Sequence, residues 1–156
     1  MLVILFCAII LSIVAIGLGH LLHKLVDDTH YKLPFAEAFF LGLIIIGVYG
    51  MLIWFLLPLN VYTAIPLYTI GFFSFFTISK GQIQFNKPLI WWVMIIVLGV
   101  MLAAKAATIS SYYDSGLYYI QTIRWMEQYA IIPGLGNIHI RLAMAAPWHM
   151  IAALSS

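Results

Sequence analysis

Charge is what this chain has least of: 7 Lys or Arg and 5 Asp or Glu in 156 residues, or 8% of the total. A soluble domain of that length needs charged and polar groups over its exterior, so the scarcity excludes an ordinary soluble globule. The basic residues are scattered, form no Lys- or Arg-rich block, and leave a formal net charge of only +2, which excludes nucleic acid as a partner. Cysteine is nearly absent too. Cys7 is the only one and lies inside the first apolar run, which excludes a disulfide framework or a thiolate metal site within one chain. It reads as a small apolar residue, buried or facing lipid. The first apolar run also lacks a basic stretch before it and exceeds the usual hydrophobic region of a secretory signal, so it reads as a retained helix.

What the chain has in abundance is hydrophobic residues, 65% of the total, arranged in runs about as long as a bilayer is thick. The lipid bilayer is the partner that composition demands. A first span is predicted over 2–22, followed by the polar stretch Asp27, Asp28, Thr29, His30, Tyr31 and Lys32. Pro34 suits the first turn of a second span, 35–57, in which Gly42, Gly47 and Gly50 permit close approach of a neighbouring helix. Pro58, Leu59 and Asn60 make an uncharged hairpin into a third span, 61–78, with Pro66 as an expected kink near its start. A polar loop over 79–88 leads to a fourth span, 89–107, which opens on Trp91 and Trp92, a pair suited to the headgroup level. The fold expected is all-α, a polytopic membrane helical bundle of about four transmembrane helices.

Lysine placement gives the orientation. Lys24 and Lys32 lie in the loop after the first span, Lys80 and Lys87 in the loop after the third, and the second loop has none. The positive-inside rule puts the two lysine-bearing loops in the cytoplasm, and the segment after the fourth span outside. Lys105, near that outer end, runs mildly against the rule and is accommodated by snorkelling.

Beyond residue 107 the character changes. Asp114 or Ser115 is a good helix N-cap, and Pro133-Gly134 a firm stop. Between them a surface helix is predicted over 117–129. Gln121, Arg124 and Gln128 fall on one side of its wheel, and Tyr119, Ile123, Met126 and Ala130 on the other, with Glu127 unexplained on the apolar side. Asp114 sits where the fourth span leaves the membrane. Its carboxylate there can cap the helix and complement its dipole, or orient a metal ion, hold an acceptor hydroxyl or act as a general base. The pattern itself leaves these roles open.

The run from Tyr113-Asp114-Ser115-Gly116-Leu117-Tyr118-Tyr119 through Arg124-Trp125, with Pro133-Gly134-Leu135-Gly136-Asn137, resembles the first extracytoplasmic loop of a bacterial polytopic membrane family similar to the GT-C glycosyltransferases. Those enzymes use polyprenyl-phosphate-linked sugars, and in them an acidic residue follows a membrane helix on the outer face, ahead of a surface helix. The resemblance covers about residues 112–141. It implies a transferase in the bacterial inner membrane, with Asp114 catalytic, positioning the acceptor or a divalent metal ion. Arg124 or Arg141 would contact phosphate, and Asn137 and His139 would take part in substrate binding. Two departures are plain: GT-C enzymes are longer with more spans, and no acid follows Glu127 to supply a second carboxylate. The apolar run 142–154 is accordingly read as the start of a fifth helix. The expected layout is a four-helix region over 1–107, an extracytoplasmic loop over 108–141 and this partial helix over 142–156, the whole forming the N-terminal part of such an enzyme.

Other signals are weaker. His20, His23, Asp27, Asp28 and His30 are the densest group of potential metal ligands, but polar residues gather wherever a span exits, and the orientation puts them opposite Asp114; no metal site is assigned. Gly134-Leu135-Gly136 lacks the third glycine and the strand context of a nucleotide fingerprint and reads as a turn. Asn137, His139 and Arg141 read equally as an interfacial loop with a snorkelling arginine, and His149 as a cavity-lining or interfacial residue. The competing class is a small non-catalytic membrane protein that packs against a membrane-protein partner. A transporter is disfavoured by the near absence of ionisable groups at mid-membrane.

Overall fold

The computed structural model describes residues 2–26, 33–78, 89–108, 118–131, 133–134, 137 and 146–155. These residues form six helices and no strand: α1 (Leu2–Val26), α2 (Phe35–Trp54), α3 (Val61–Ile78), α4 (Leu89–Ala106), α5 (Ile120–Gln128) and α6 (Pro147–Leu154). Helices satisfy their own backbone, which is why an apolar chain in hydrocarbon adopts them. Among the described residues α1, α2 and α3 are long and apolar enough to cross a membrane. The run expected as a fourth span is helical, forming the 18-residue α4. Polar side chains within α1 and α3 turn back on their own helix: the Ser12 hydroxyl donates to the Ala8 carbonyl at 2.7 Å, and Thr77 to Phe73 at 2.9 Å.

α1 is the centre of the bundle and packs against both α2 and α3. Gly17 and Gly19, two positions apart, lie on opposite sides of it. A Cβ at Gly17 would fall onto the backbone of Gly71 in α3, and one at Gly19 onto the backbone of Ala38 in α2. Gly42 meets the backbone of Ala15 in the same way. These contacts run α1 antiparallel to α2 and parallel to α3. In lipid, apolar burial does not drive helices together, so close backbone approach at small residues is the attraction available.

The remaining glycines of α2 serve a different neighbour. Gly47 faces Pro147 and Gly50 faces Met150 and Leu154, so α6 runs alongside α2 in the same direction. The run 142–154 does not become helical as one piece. Ala146 is extended, with φ −102° and ψ 149°, and α6 begins at Pro147. Proline disfavours helical geometry in the residue before it, while its own missing N–H is harmless at a first helical position.

One other boundary differs from the expectation, and the start of α3 at Val61 agrees with it. α2 ends at Trp54 rather than near residue 57, because the chain turns there, with Leu56 and Leu57 donating back to the Ile53 carbonyl. The start of α3 is fixed by a reciprocal cap. Asn60 Oδ1 accepts from the Tyr62 and Thr63 amides at 3.1 and 3.4 Å, and the Thr63 hydroxyl oxygen accepts from the Asn60 amide at 3.0 Å.

Candidate functional site

The site built from residues upward is a platform at the α2–α3 hairpin, made by α5 and the extended segment after it. Helix ends leave carbonyls without partners, and two of these ends satisfy each other here. The Ile131 amide donates to the Trp54 carbonyl at the end of α2 at 2.9 Å, and the Leu59 amide donates to the Met126 carbonyl in the last turn of α5 at 2.6 Å. The Trp54 indole Nε1 then donates to the Tyr129 carbonyl at 3.0 Å. Three bonds therefore hold α5 to the hairpin. That hairpin is the end of the bundle opposite Val26 and Ile78, where α1 and α3 end.

The amphipathic reading of α5 holds in its main division. Met126 and Thr122 are buried beneath the helix, and Arg124 and Gln128 are exposed above it. Gln121 is half-buried, and Tyr119 is 49% exposed rather than packed away. Glu127 is half-buried, as its place on the wheel required. The residue in the cap position of α5 is Tyr119, whose side chain makes no capping bond. Asp114 and Ser115, the expected caps, lie outside the described residues, as do His139 and Arg141.

Of the predicted site residues, Arg124 and Asn137 are therefore the two that the described structure locates. Arg124 projects from the open face of the platform. Asn137 is exposed after the Pro133–Gly134 turn, and its amide donates to the Gly134 carbonyl at 2.9 Å. Gly134 has φ +88°, the left-handed geometry that glycine adopts without strain, and Leu135 and Gly136 lie outside the described residues.

Beneath α5 lies His149, which is 8% exposed. Its Nδ1 accepts from the Ala146 amide at 3.2 Å and so closes the first turn of α6. An accepting Nδ1 makes Nε2 the protonated nitrogen of the neutral ring. That Nε2 is buried with no hydrogen-bond partner among the described residues. The Tyr119 ring lies beside it, centroid to centroid 5.6 Å. Burial lowers the pKa of this imidazole, because charging it costs solvation.

At the opposite end of the bundle, His20 is 1% exposed with its ring edge-on to Phe35 at 5.8 Å, and neither nitrogen has a partner among the described residues. His23 is half-buried, while Asp27, Asp28 and His30 lie outside the described residues. The described residues contain no group of three potential metal ligands, so they form no metal centre.

Sequence reasoning missed Trp54, Tyr129 and the capping role of His149. The pairing of Trp54 with Tyr129 joins residues 75 apart and leaves no periodic trace. His149 had a local signal: a histidine two places after a proline can reach back to the amide before that proline.

Among the described residues these features define an all-helical bundle in which three helices are long and apolar enough to cross a membrane, with a short amphipathic helix hydrogen-bonded to one end. Over residues 1–156 the sequence matches the family described as a domain of unknown function (DUF8201), and the chain belongs to that family. No curated protein and no solved structure matches it.

Proposed function

We propose that this chain is the membrane-embedded N-terminal part of a GT-C-like glycosyltransferase, acting on a polyprenyl-phosphate-linked sugar at the outer face of the bacterial inner membrane. The observation that carries the reading is the docking of α5 on the α2–α3 hairpin, with Arg124 on its open face. An amphipathic helix held there lies at headgroup depth, where the phosphate of a lipid-linked donor also lies. In the reaction, the bond from the sugar to phosphate breaks and a bond from the sugar to an acceptor hydroxyl forms. The Asp114 carboxylate would take the acceptor proton, and Arg124 or Arg141 would balance the charge left on phosphate.

The test uses the full-length protein in its own membrane. Asp114→Asn keeps the side-chain volume and removes the base, so lipid-linked sugar should accumulate in lipid extracts analysed by mass spectrometry. Unchanged turnover in that variant would refute the transferase assignment.

A second reading, a packing or assembly partner for another membrane protein, is favoured by α4. Val93, Met94, Ile96, Val97, Leu98 and Met101 are all exposed on it, and nothing stands within 4 Å of a Cβ built at Gly99. Co-purification with a larger complex, with function intact after Asp114→Asn, would select this reading.

A further inference from the structure

At the platform end of the bundle one buried polar atom stands unsatisfied, Nε2 of His149. The ring is 8% exposed, its Nδ1 is taken by the Ala146 amide at 3.2 Å, and Nε2 has no hydrogen-bond partner among the described residues. With Nδ1 accepting, Nε2 carries the proton and acts only as a donor. Burial keeps the ring neutral. A buried donor left unpaired is costly, so this one calls for an acceptor that the described residues do not supply.

The fastening of α5 marks the way in. Its three hydrogen bonds to the hairpin involve the Met126 and Tyr129 carbonyls and the Ile131 amide, all at or beyond its C-terminal turn. At its other end Tyr119 holds the cap position and makes no side-chain capping bond. A helix of nine residues is marginal by itself, so the end away from the hairpin bonds is the one that opens at least cost. Tyr119 is also the residue at that end whose ring meets His149, with centroids 5.6 Å apart, and it is 49% exposed.

The neighbouring rings set the chemistry of the acceptor. Trp148, 59% exposed, meets the same imidazole with centroids 6.0 Å apart. A neutral N–H beside two half-open aromatic rings suits an uncharged oxygen carried on an apolar face. A sugar ring has that form, with hydroxyls at its rim and C–H groups on its faces. An amphipathic helix at headgroup depth meets such a ring as the head of a lipid. We propose that His149 Nε2 is the hydrogen-bond donor to a hydroxyl of a lipid-borne sugar, admitted when the Tyr119 end of α5 lifts. The choice of ligand rests on the transferase reading, whereas Asp114 and the transfer step play no part in the site.

The test uses the full-length protein in a detergent without a sugar head. Diethyl pyrocarbonate acylates accessible imidazole nitrogens, and mass spectrometry reads the modification of each histidine. The probes are synthetic polyprenyl phosphates bearing glucose, galactose, mannose or N-acetylglucosamine, compared with bare polyprenyl phosphate. His149 should react slowly in the unaltered chain and several-fold faster in Tyr119→Ala. At least one sugar-bearing lipid should slow the reaction several-fold, and the bare lipid should not. His149→Gln keeps an acceptor for the Ala146 amide and an N–H donor, so it should bind that lipid within a few-fold of the unaltered chain, while His149→Leu should lose tenfold or more. Equal protection by bare polyprenyl phosphate, protection by none of the probes, or no gain in reactivity in Tyr119→Ala would each overturn the proposal. Asp114→Asn separates the two claims: its sugar turnover decides the transferase reading, and its protection by the lipid decides this one.

Discussion

The inner bundle and the outer platform are held together by different forces. Where α1 meets α2 and α3, backbones come together at glycine and alanine and apolar side chains such as Val14, Leu18 and Ile46 pack around those points. Where α5 meets the α2–α3 hairpin, the contacts are hydrogen bonds from the Ile131 and Leu59 amides and the Trp54 indole to carbonyls at or just beyond helix ends. The difference follows depth. In hydrocarbon, a helix has no spare backbone donors to offer and associates by close packing. At the interface the helices end, their unpaired amides and carbonyls become available, and a surface helix is fixed by pairing with them.

That contrast can be broken at four points. The largest effect is expected at Gly42. In Gly42→Ala the new Cβ meets the backbone of Ala15, which cannot rotate away, so a loss of ~3 kcal/mol is expected, the upper part of the overpacking range. Gly99→Ala, with open space around it, should instead raise stability by about 0.5–1 kcal/mol through helix propensity. Thermal unfolding of the two variants in the same detergent measures both, and similar losses would show that packing at α1 is not special.

Next comes Trp54→Phe, which removes the indole donor to Tyr129 and costs about 1 kcal/mol. The loss should be local. Hydrogen exchange should rise most over 118–131 and least in α1, whereas a uniform rise would show that the indole bond is not specific to the platform.

The smallest effect is that of pH. The pKa of His149 is lowered in the fold from its ordinary value of 6.5, so the neutral ring's contribution is fully present above that value and declines as pH falls through the folded pKa. Protonation turns Nδ1 from acceptor to donor and breaks its bond with the Ala146 amide. After correction for the intrinsic pH dependence of amide exchange, protection over 147–154 should fall as pH drops below 6.5 through the folded pKa, and His149→Gln should abolish that loss.

Much of the bundle is legible in the amino-acid sequence. The long apolar runs mark α1, α2 and α3 because hydrocarbon thickness sets one length scale. The glycines of α2 announce close neighbours, though not that Gly42 serves α1 while Gly47 and Gly50 serve α6. The wheel of α5 separates Arg124 from Met126 correctly, since helical period alone decides it. What stays hidden is long-range or terminal. Nothing in a periodic pattern links Trp54 to Tyr129, and apolarity alone carries α2 past Trp54 and begins the last helix before Pro147. Of the site, Arg124 and Asn137 are located as surface groups, and the buried ring of His149 takes a capping role that its apolar neighbours conceal. Asp114 rests on the resemblance.

The central claim is that α5 and the lysine-bearing loops lie on opposite faces of the membrane, with α5 outside. Single cysteines introduced as Arg124→Cys and Lys80→Cys, each in a Cys7→Ser background, allow it to be measured in intact cells with a membrane-impermeant maleimide. Position 124 should label at once and position 80 only after the membrane is opened. Labelling of both positions from the same side, or of position 80 alone, would contradict the account.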